Sequence, residues 1–84
     1  MAQRQRQYDQ AKDYWQQALA LFIEFNDRYS QAGTYFCLGA FANDRQQLAE
    51  AQANLQQALE RFVEFKDDYW ATRTREELEQ LSDA

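Results

Sequence analysis

One phrase of fifteen residues occurs twice in this chain of 84 residues. Residues 15–29 read WQQALALFIEFNDRY and residues 55–69 read LQQALERFVEFKDDY, so nine of the fifteen positions are identical. One constant shift, which carries Trp15 to Leu55 and Tyr29 to Tyr69, relates the two copies, and we call it the repeat offset. Self-similarity at a fixed period is the signature of repeat proteins, in which each unit buries its apolar face against the next unit. The sequence therefore predicts stacked copies of one unit.

The apolar residues of both copies recur with the spacing of an α-helix. In each copy, six of them follow one another at alternating steps of three and four, which places them on one helical face. Proline is absent, and polar breaks lie near residues 27, 44 and 67. We therefore predict an all-α fold of four antiparallel helices at about 3–25, 29–43, 46–66 and 69–82. The apolar faces are Tyr8, Ala11, Trp15, Ala18, Phe22 and Phe25 in the first copy, and Leu48, Ala51, Leu55, Ala58, Phe62 and Phe65 in the second.

Polar side chains at the breaks predict how the helices begin. Asp27 and Asp67 lie at equivalent positions of the two copies. They are expected N-caps, because an aspartate carboxylate accepts hydrogen bonds from the unpaired N–H groups of a first helical turn. Asp44, followed three residues later by Gln47, predicts a weak capping box at the start of the third helix.

The stretch from Tyr35 to Ala58 resembles the tetratricopeptide repeat, a hairpin of two antiparallel helices. In this pattern, Gly39 and the alanines are small where the two helices press together. The residues that carry the resemblance are Tyr35, Leu38 and Gly39 in the first helix, and Ala51, Leu55, Ala58 and Leu59 in the second. The earlier copy carries only the second half of the pattern, at Ala11, Trp15, Ala18 and Leu19.

The resemblance implies a tetratricopeptide-like α-solenoid fragment of helix-turn-helix units. The period of this chain, about 40 residues, exceeds the family's usual period of about 34. It is similar to that of the longer repeats of kinesin light chains and of bacterial signalling arrays, and the extra residues are expected to lengthen the second helix and its connection. Residues 1–28 then form a half repeat, 29–68 a complete repeat, and 69–84 a further half repeat or a capping helix. A generic helical hairpin that matches the pattern by chance is the alternative.

The composition lacks the residues that carry most protein chemistry. Histidine is absent and Cys37 is the only cysteine, so neither a zinc site nor a Cys–His nucleophile can form. No glycine-rich loop is present to bind a phosphate. We therefore expect no enzyme activity, no metal and no cofactor, and we interpret Cys37 as a small hydrophobic residue.

The charge and the hydropathy of the chain narrow the classes of partner. The net charge is −5, which disfavours nucleic acid, because such binders present a basic face. The longest apolar run is the six residues 18–23, far short of a bilayer span, and no apolar signal-peptide core is present. We therefore expect a cytoplasmic protein that binds neither nucleic acid nor membrane, and whose partner is another protein or peptide.

The resemblance also implies a ligand groove lined by the first helix of each repeat. The lysine and asparagine residues of the family's clamp for a peptide carboxylate are missing here. An apolar strip beside a negative rim is expected to prefer an apolar segment with a basic residue. The alternative is that Phe36 packs on the last helix and leaves no groove. The residues at the groove positions are Gly33, Phe36, Cys37, Ala40 and Asn43 in the second helix, and Arg73, Glu76, Glu77 and Gln80 in the last.

A second apolar stripe distinguishes the first copy from the other. Tyr14, Ala18, Leu21 and Phe25 follow one helical face beside the predicted core, whereas the matching stripe of the second copy is interrupted by two polar residues, Asn54 and Arg61. Because large exposed apolar patches mark contacts, we predict a homo-oligomer formed through the first helix. The alternative is that the stripe packs on the chain's own helices. The function we expect is protein–protein interaction, with a structural spacer or self-association element as the alternative.

Overall fold

The computed structural model of the chain describes residues 2–83, with the side chains of residues 7–81. It contains four α-helices: α1 at Ala2–Glu24, α2 at Arg28–Asp44, α3 at Leu48–Glu64 and α4 at Asp68–Asp83. The predicted all-α fold of four helices is confirmed, and every predicted boundary lies within two residues of the observed one. Along residues 2–83, no helix is both long enough and apolar enough to cross a membrane.

The three connections between the helices share one geometry. In each connection the middle residue has a left-handed backbone, with φ values of 57° at Asn26, 60° at Gln46 and 57° at Lys66. The next residue returns its backbone N–H to the carbonyl five positions earlier, as Asp27 does to Phe22 at 2.8 Å. This is the hydrogen bond of the Schellman motif, which satisfies carbonyls at a helix end. The turns are evenly spaced along the chain, at half the repeat offset.

The observed lengths and ends of α2 and α3 contradict two predictions. Helices α2 and α3 both have 17 residues, so the long period is shared equally between them and does not lengthen the second helix and its connection. The predicted capping box is also wrong. Asp44 is the last residue of α2, and Gln47 precedes α3 without a side-chain capping hydrogen bond. The left-handed backbone at Gln46 separates the two helices, so α3 begins only at Leu48.

The two predicted aspartate caps are confirmed. The Asp27 carboxylate accepts a hydrogen bond from the backbone N–H of Ser30 at 3.2 Å and another from its hydroxyl at 2.8 Å. The Asp67 carboxylate accepts one from the backbone N–H of Trp70 at 3.2 Å and one from the hydroxyl of Tyr29. The latter hydrogen bond, together with desolvation and the aspartate charge, raises the pKa of Tyr29. Asp67 thereby connects the first turns of α2 and α4.

Helices α2 and α3 form the most extensive helix pair of the described chain. Gly39 lies at their closest approach, since a Cβ atom added there would be 2.6 Å from Cγ of Leu55 and 3.3 Å from the carbonyl oxygen of Ala51. Leu55 is completely buried, and Ala32 and Ala42 of α2 are 0% and 1% exposed. Small residues on α2 therefore let the two backbones approach while Leu55 fills the space between them.

The core continues from α3 to α4 around Phe62. This ring is 2% exposed, stacks on the ring of Trp70 at 6.0 Å and meets the ring of Tyr29 edge-on at 6.0 Å. Ala71 of α4 belongs to the same buried cluster. Thr74 of α4 is also buried, and its hydroxyl donates a hydrogen bond to the Trp70 carbonyl at 2.7 Å. Helix α3 is thus covered on two sides, by α2 and by α4.

Helix α1 is covered on one side only. Among the described helices it packs closely against α2 alone, where the rings of Tyr8 and Trp15 meet Phe41 edge-on at 5.4 and 5.6 Å. An ion pair of 3.1 Å joins Lys12 to Glu50 of α3. None of the described side chains of α1, residues 7–24, is buried. The apolar face of α1 is therefore only partly removed from solvent.

Candidate partner-binding groove

An apolar groove runs between α1 and α2, where no other helix within the described residues 2–83 packs closely on α1. The part beside Tyr8 and Ala40, which we call the upper part, has a volume of about 530 Å³. The part beside Phe22 and Gly33, which we call the lower part, has a volume of about 480 Å³. Trp15, Phe36 and Cys37 line both parts, so the two are continuous. We call this surface the α1–α2 groove. Its further walls are Tyr8, Ala11 and Ala40 above, and Ala18, Phe22, Gly33 and Trp70 below.

Four of the residues predicted for a peptide groove line this surface, and five do not. Gly33, Phe36, Cys37 and Ala40 of α2 are wall residues. The five others, which line neither part, are Asn43 of α2 and Arg73, Glu76, Glu77 and Gln80 of α4. The second wall of the groove is therefore α1, because α4 contributes only Trp70.

Phe36 combines features of both interpretations made from the sequence. Its ring meets the ring of Trp70 in α4 edge-on at 5.4 Å, as expected if it packs on the last helix. It nevertheless remains half-buried and lines the groove along its whole length. The contact with α4 thus positions the Phe36 ring without closing the groove.

Gly33 borders open space in the lower part of the groove. Gly33 is exposed, and a Cβ atom added there would have no heavy atom within 4 Å. The contrast with Gly39, where the same atom would overlap Leu55, shows that the two glycines of α2 have different surroundings. Gly39 permits a helix–helix contact that exists, whereas Gly33 borders unfilled space.

The walls of the groove are mainly apolar and carry few chemically reactive groups. Cys37 is a free thiol, and partial burial raises its pKa, which favours the unreactive protonated form. Asp44 is the charged residue among the walls of the upper part. Among the described residues, no group of histidine, cysteine or carboxylate side chains could hold a metal ion. The walls therefore provide apolar contact area and aromatic edges.

The predicted self-association stripe lies along the outer edge of this groove. Tyr14 is 70%, Leu21 52% and Phe25 74% exposed, while Ala18 is half-buried and lines the lower part together with Tyr14. The alternative, in which the stripe packs on the chain's own helices, therefore does not describe three of these four side chains. The stripe and the groove share Tyr14 and Ala18, whereas Leu21 and Phe25 line neither part.

The α1 wall of the groove is the part that the sequence interpretation missed. The sequence pattern assigns Ala11, Trp15 and Ala18 to the apolar face of the first helix. It does not assign them to the peptide groove, whose predicted walls are α2 and α4 alone. The signal that identifies them is the repeat offset, which pairs them with Ala51, Leu55 and Ala58. Those three counterparts are completely buried, so the pattern shows which residues of α1 lack an equivalent cover.

The fold and the surface together define an all-α protein built of packed helical hairpins, with an uncovered apolar groove at one end. Comparison with known proteins adds no closer description, since no protein-family model, no curated protein and no solved structure matches the chain.

Proposed function

We propose that this chain is a protein–protein interaction module that binds a protein or peptide partner in the α1–α2 groove. The observation that carries the proposal is the uncovered apolar face of α1, which lines a groove of about 530 and 480 Å³ in its two parts. Exposed apolar surface in a groove is a feature of ligand-binding sites, and pre-formed apolar grooves are a common means of peptide recognition.

The proposed class is a tetratricopeptide-like repeat acting as a scaffold, as the sequence pattern around Gly39 implies. Support comes from the repeated turns and the small residues at the α2–α3 contact. The proposal includes a cytoplasmic setting, in which the thiol of Cys37 stays reduced.

Filling the groove should abolish partner binding while the fold is preserved. The ligands are peptides selected from a random library for binding to the parent chain. We expect Gly33→Leu to weaken their affinity by more than about tenfold, because the new side chain occupies the space in which the ligand lies. The measurement is isothermal titration calorimetry, with circular dichroism to verify the helical content. Phe36→Ala should also weaken binding through loss of a wall.

The matched control changes charges outside the groove. Glu76→Gln combined with Glu77→Gln alters two residues of α4 that line neither part, so we expect the dissociation constant to stay within about twofold. Selected peptides that bind the Gly33→Leu chain as tightly as the parent would show that the groove is not their site. A library that yields no binder at all would remove the support for the function itself.

Self-association through α1 is the second candidate, supported by the exposure of Tyr14, Leu21 and Phe25. In this case the apolar stripe is covered by a further copy of the chain and no separate ligand is required. The equivalents of Tyr14 and Leu21 on α3 are Asn54 and Arg61. The second copy of the sequence therefore supplies the polar residues with which the stripe of α1 can be tested.

We expect the parent chain to sediment as a dimer or larger species at micromolar concentration in this case. Replacing Tyr14→Asn together with Leu21→Arg gives α1 the polar residues found in α3 and should return the chain to a 10.0 kDa monomer. Sedimentation equilibrium measures both masses. A monomeric parent chain, or a dimer that survives the double substitution, contradicts self-association through this stripe.

A further inference from the structure

The chain contains an occupied counterpart of its own open groove. The repeat offset relates α1 to α3 and α2 to α4. Helix α2 packs against both α3 and α4. Relative to α3 and α4, it therefore lies where a helix bound in the α1–α2 groove would lie relative to α1 and α2. The contacts of α2 therefore describe the kind of segment that fits the open groove.

The α1 wall of the open groove and the α3 wall of the occupied position correspond in chemistry and differ in burial. Ala51, Leu55, Ala58 and Phe62 of α3 are at most 2% exposed beneath α2 and α4. Their equivalents on α1, Ala11, Trp15, Ala18 and Phe22, are all only half-buried. The same apolar pattern thus lies under a helix in one copy and remains open in the other.

We propose that the α1–α2 groove binds one amphipathic helix of a separate protein, antiparallel to α1, whose apolar face resembles that of α2. This inference rests on the proposed function and names the class of partner. The antiparallel direction follows from the three-residue connection that joins α2 to α3. The length follows from the 17 residues of α2.

A small residue must face Trp15. In the occupied copy, Gly39 faces Leu55 so closely that an added Cβ atom would lie 2.6 Å from the Leu55 side chain. Trp15 stands at the position equivalent to Leu55, and the indole is larger than the leucine side chain. The partner helix therefore needs glycine or alanine at this point, as α2 has at its closest approach to α3.

A basic residue in the first turn of the partner is favoured by Glu24. In the occupied copy, Nε of Arg28 and the carboxylate of Glu64 form an ion pair at 2.8 Å. Glu24 is the equivalent of Glu64, is exposed, and forms no ion pair with the described residues. Charge complementarity therefore selects a helix that starts with arginine or lysine.

An apolar residue is preferred beside Leu21. In the occupied copy, Nε of Arg61 donates to the side chain of Gln31 at 3.1 Å, and its guanidinium lies 4.8 Å from the centre of the Tyr35 ring. Leu21 replaces this arginine on α1 and is 52% exposed. A partner with a hydrocarbon side chain in place of Gln31 would bury Leu21 without leaving a polar group unpaired.

The opposite end of the fold offers no such position. The side of α2 that faces α3 carries Ala32, Tyr35 and Gly39, and their equivalents on α4 are Thr72, Arg75 and Glu79. All three of the α4 residues are exposed, and a glutamate cannot replace the glycine of a close helix contact. Helix α4 therefore presents a polar outer face, and docking is confined to the α1 side of the described fold.

A separate protein fits the groove better than a second folded copy of the chain. The α2 face that matches the groove is already buried, with Ala32 and Ala42 at 0% and 1% exposure. The outer side of α4 is polar, and α1 has no glycine between residues 7 and 24 to match Gly39 of α2. No helix of a folded second copy therefore presents the required face.

The probe is a synthetic peptide of residues 28–44, the sequence of α2. A lactam that joins position 33 to position 37, after Gly33→Lys and Cys37→Asp, keeps it helical, because isolated helices of this length are marginal in water. We expect saturable binding to the intact chain by fluorescence anisotropy. Gly39→Leu in the peptide should weaken it by at least about fivefold, the lower limit for overpacking a close contact. A lactam peptide of residues 68–83 is the control and should not bind.

Two substitutions in the intact chain test the assignment of the walls. The Leu21→Arg chain should bind the α2 peptide at least as tightly as the parent chain does, because the new arginine restores the partner of Gln31 and Tyr35. The same substitution should disrupt self-association. Arg28→Glu in the peptide should weaken binding about two- to fivefold, the range expected for an exposed ion pair. Glu24→Arg in the chain should recover that loss.

The outcomes separate the inference from the function on which it rests. A helical α2 peptide that does not bind, or that binds equally with leucine at position 39, overturns the inference. If library peptides still bind and Gly33→Leu in the chain weakens them, the interaction function stands with a different class of ligand. A dimer that the α2 peptide does not dissociate also overturns the inference, because a second copy then covers the groove.

Discussion

Replacing Phe62→Ala should reduce the free energy of unfolding by about 3–5 kcal/mol, the largest loss that we expect from any single substitution in this chain. The ring is 2% exposed, stacks on Trp70 and meets Tyr29 edge-on, both at 6.0 Å. Its removal leaves a cavity where α2, α3 and α4 meet. Urea unfolding followed by circular dichroism measures the loss, and Phe62→Leu gives a milder variant if the alanine variant does not fold.

The matched control is Phe22→Ala, the same change at the equivalent position of the first copy. Phe22 is half-buried and borders the groove, so its removal should cost only about 1–2 kcal/mol, because less apolar area returns to water. Equal losses at the two positions would contradict the open groove. They would show that α1 in solution is covered as fully as α3.

Replacing Gly39→Leu should destabilise the chain by about 1–3 kcal/mol, the usual result of forcing extra methylene groups into a packed contact. The first added atom alone would lie 2.6 Å from Leu55 and 3.3 Å from the backbone oxygen of Ala51. Leu55 is completely buried, so its side chain can move only by displacing its neighbours. Thermal unfolding measures the effect as a decrease in Tm.

The matched control is Gly33→Leu, the other glycine of the same helix. No atom lies within 4 Å of the Cβ position there, and leucine is a better helix former than glycine by up to about 1 kcal/mol. We therefore expect unchanged or higher stability. If the two leucine variants had the same Tm, the difference in packing around the two glycines would be refuted.

Local features of the fold can be read from the sequence because they depend on neighbours in the chain. The steps of three and four residues identify the helices, and the carboxylates of Asp27 and Asp67 identify two helix starts. The start of α3 cannot be read as well, because its turn uses a left-handed glutamine, Gln46. Glutamine at this position carries no turn signal comparable to glycine or asparagine, so the sequence pattern gives Asp44 a capping role that it does not have.

The candidate site could be predicted only on the α2 side. Phe36, Cys37 and Ala40 follow from the groove positions of the repeat pattern, and they line the groove. The predicted residues of α4, including Glu76 and Glu77, do not line it, because the open space lies on the other side of α2. The pattern assigns faces to helices, but it does not state which neighbouring helix leaves a face uncovered.

The sequence by itself determined the four helices, their apolar faces, two of their caps and the small residues at the α2–α3 contact, since these depend on periodicity and on side-chain size. Only the tertiary structure decided which apolar face remains open. Helices α1 and α3 carry almost the same pattern, but α3 lies between α2 and α4 whereas α1 packs closely against α2 alone. Burial depends on the number of neighbouring helices in space, and that number is not encoded in the pattern of either helix.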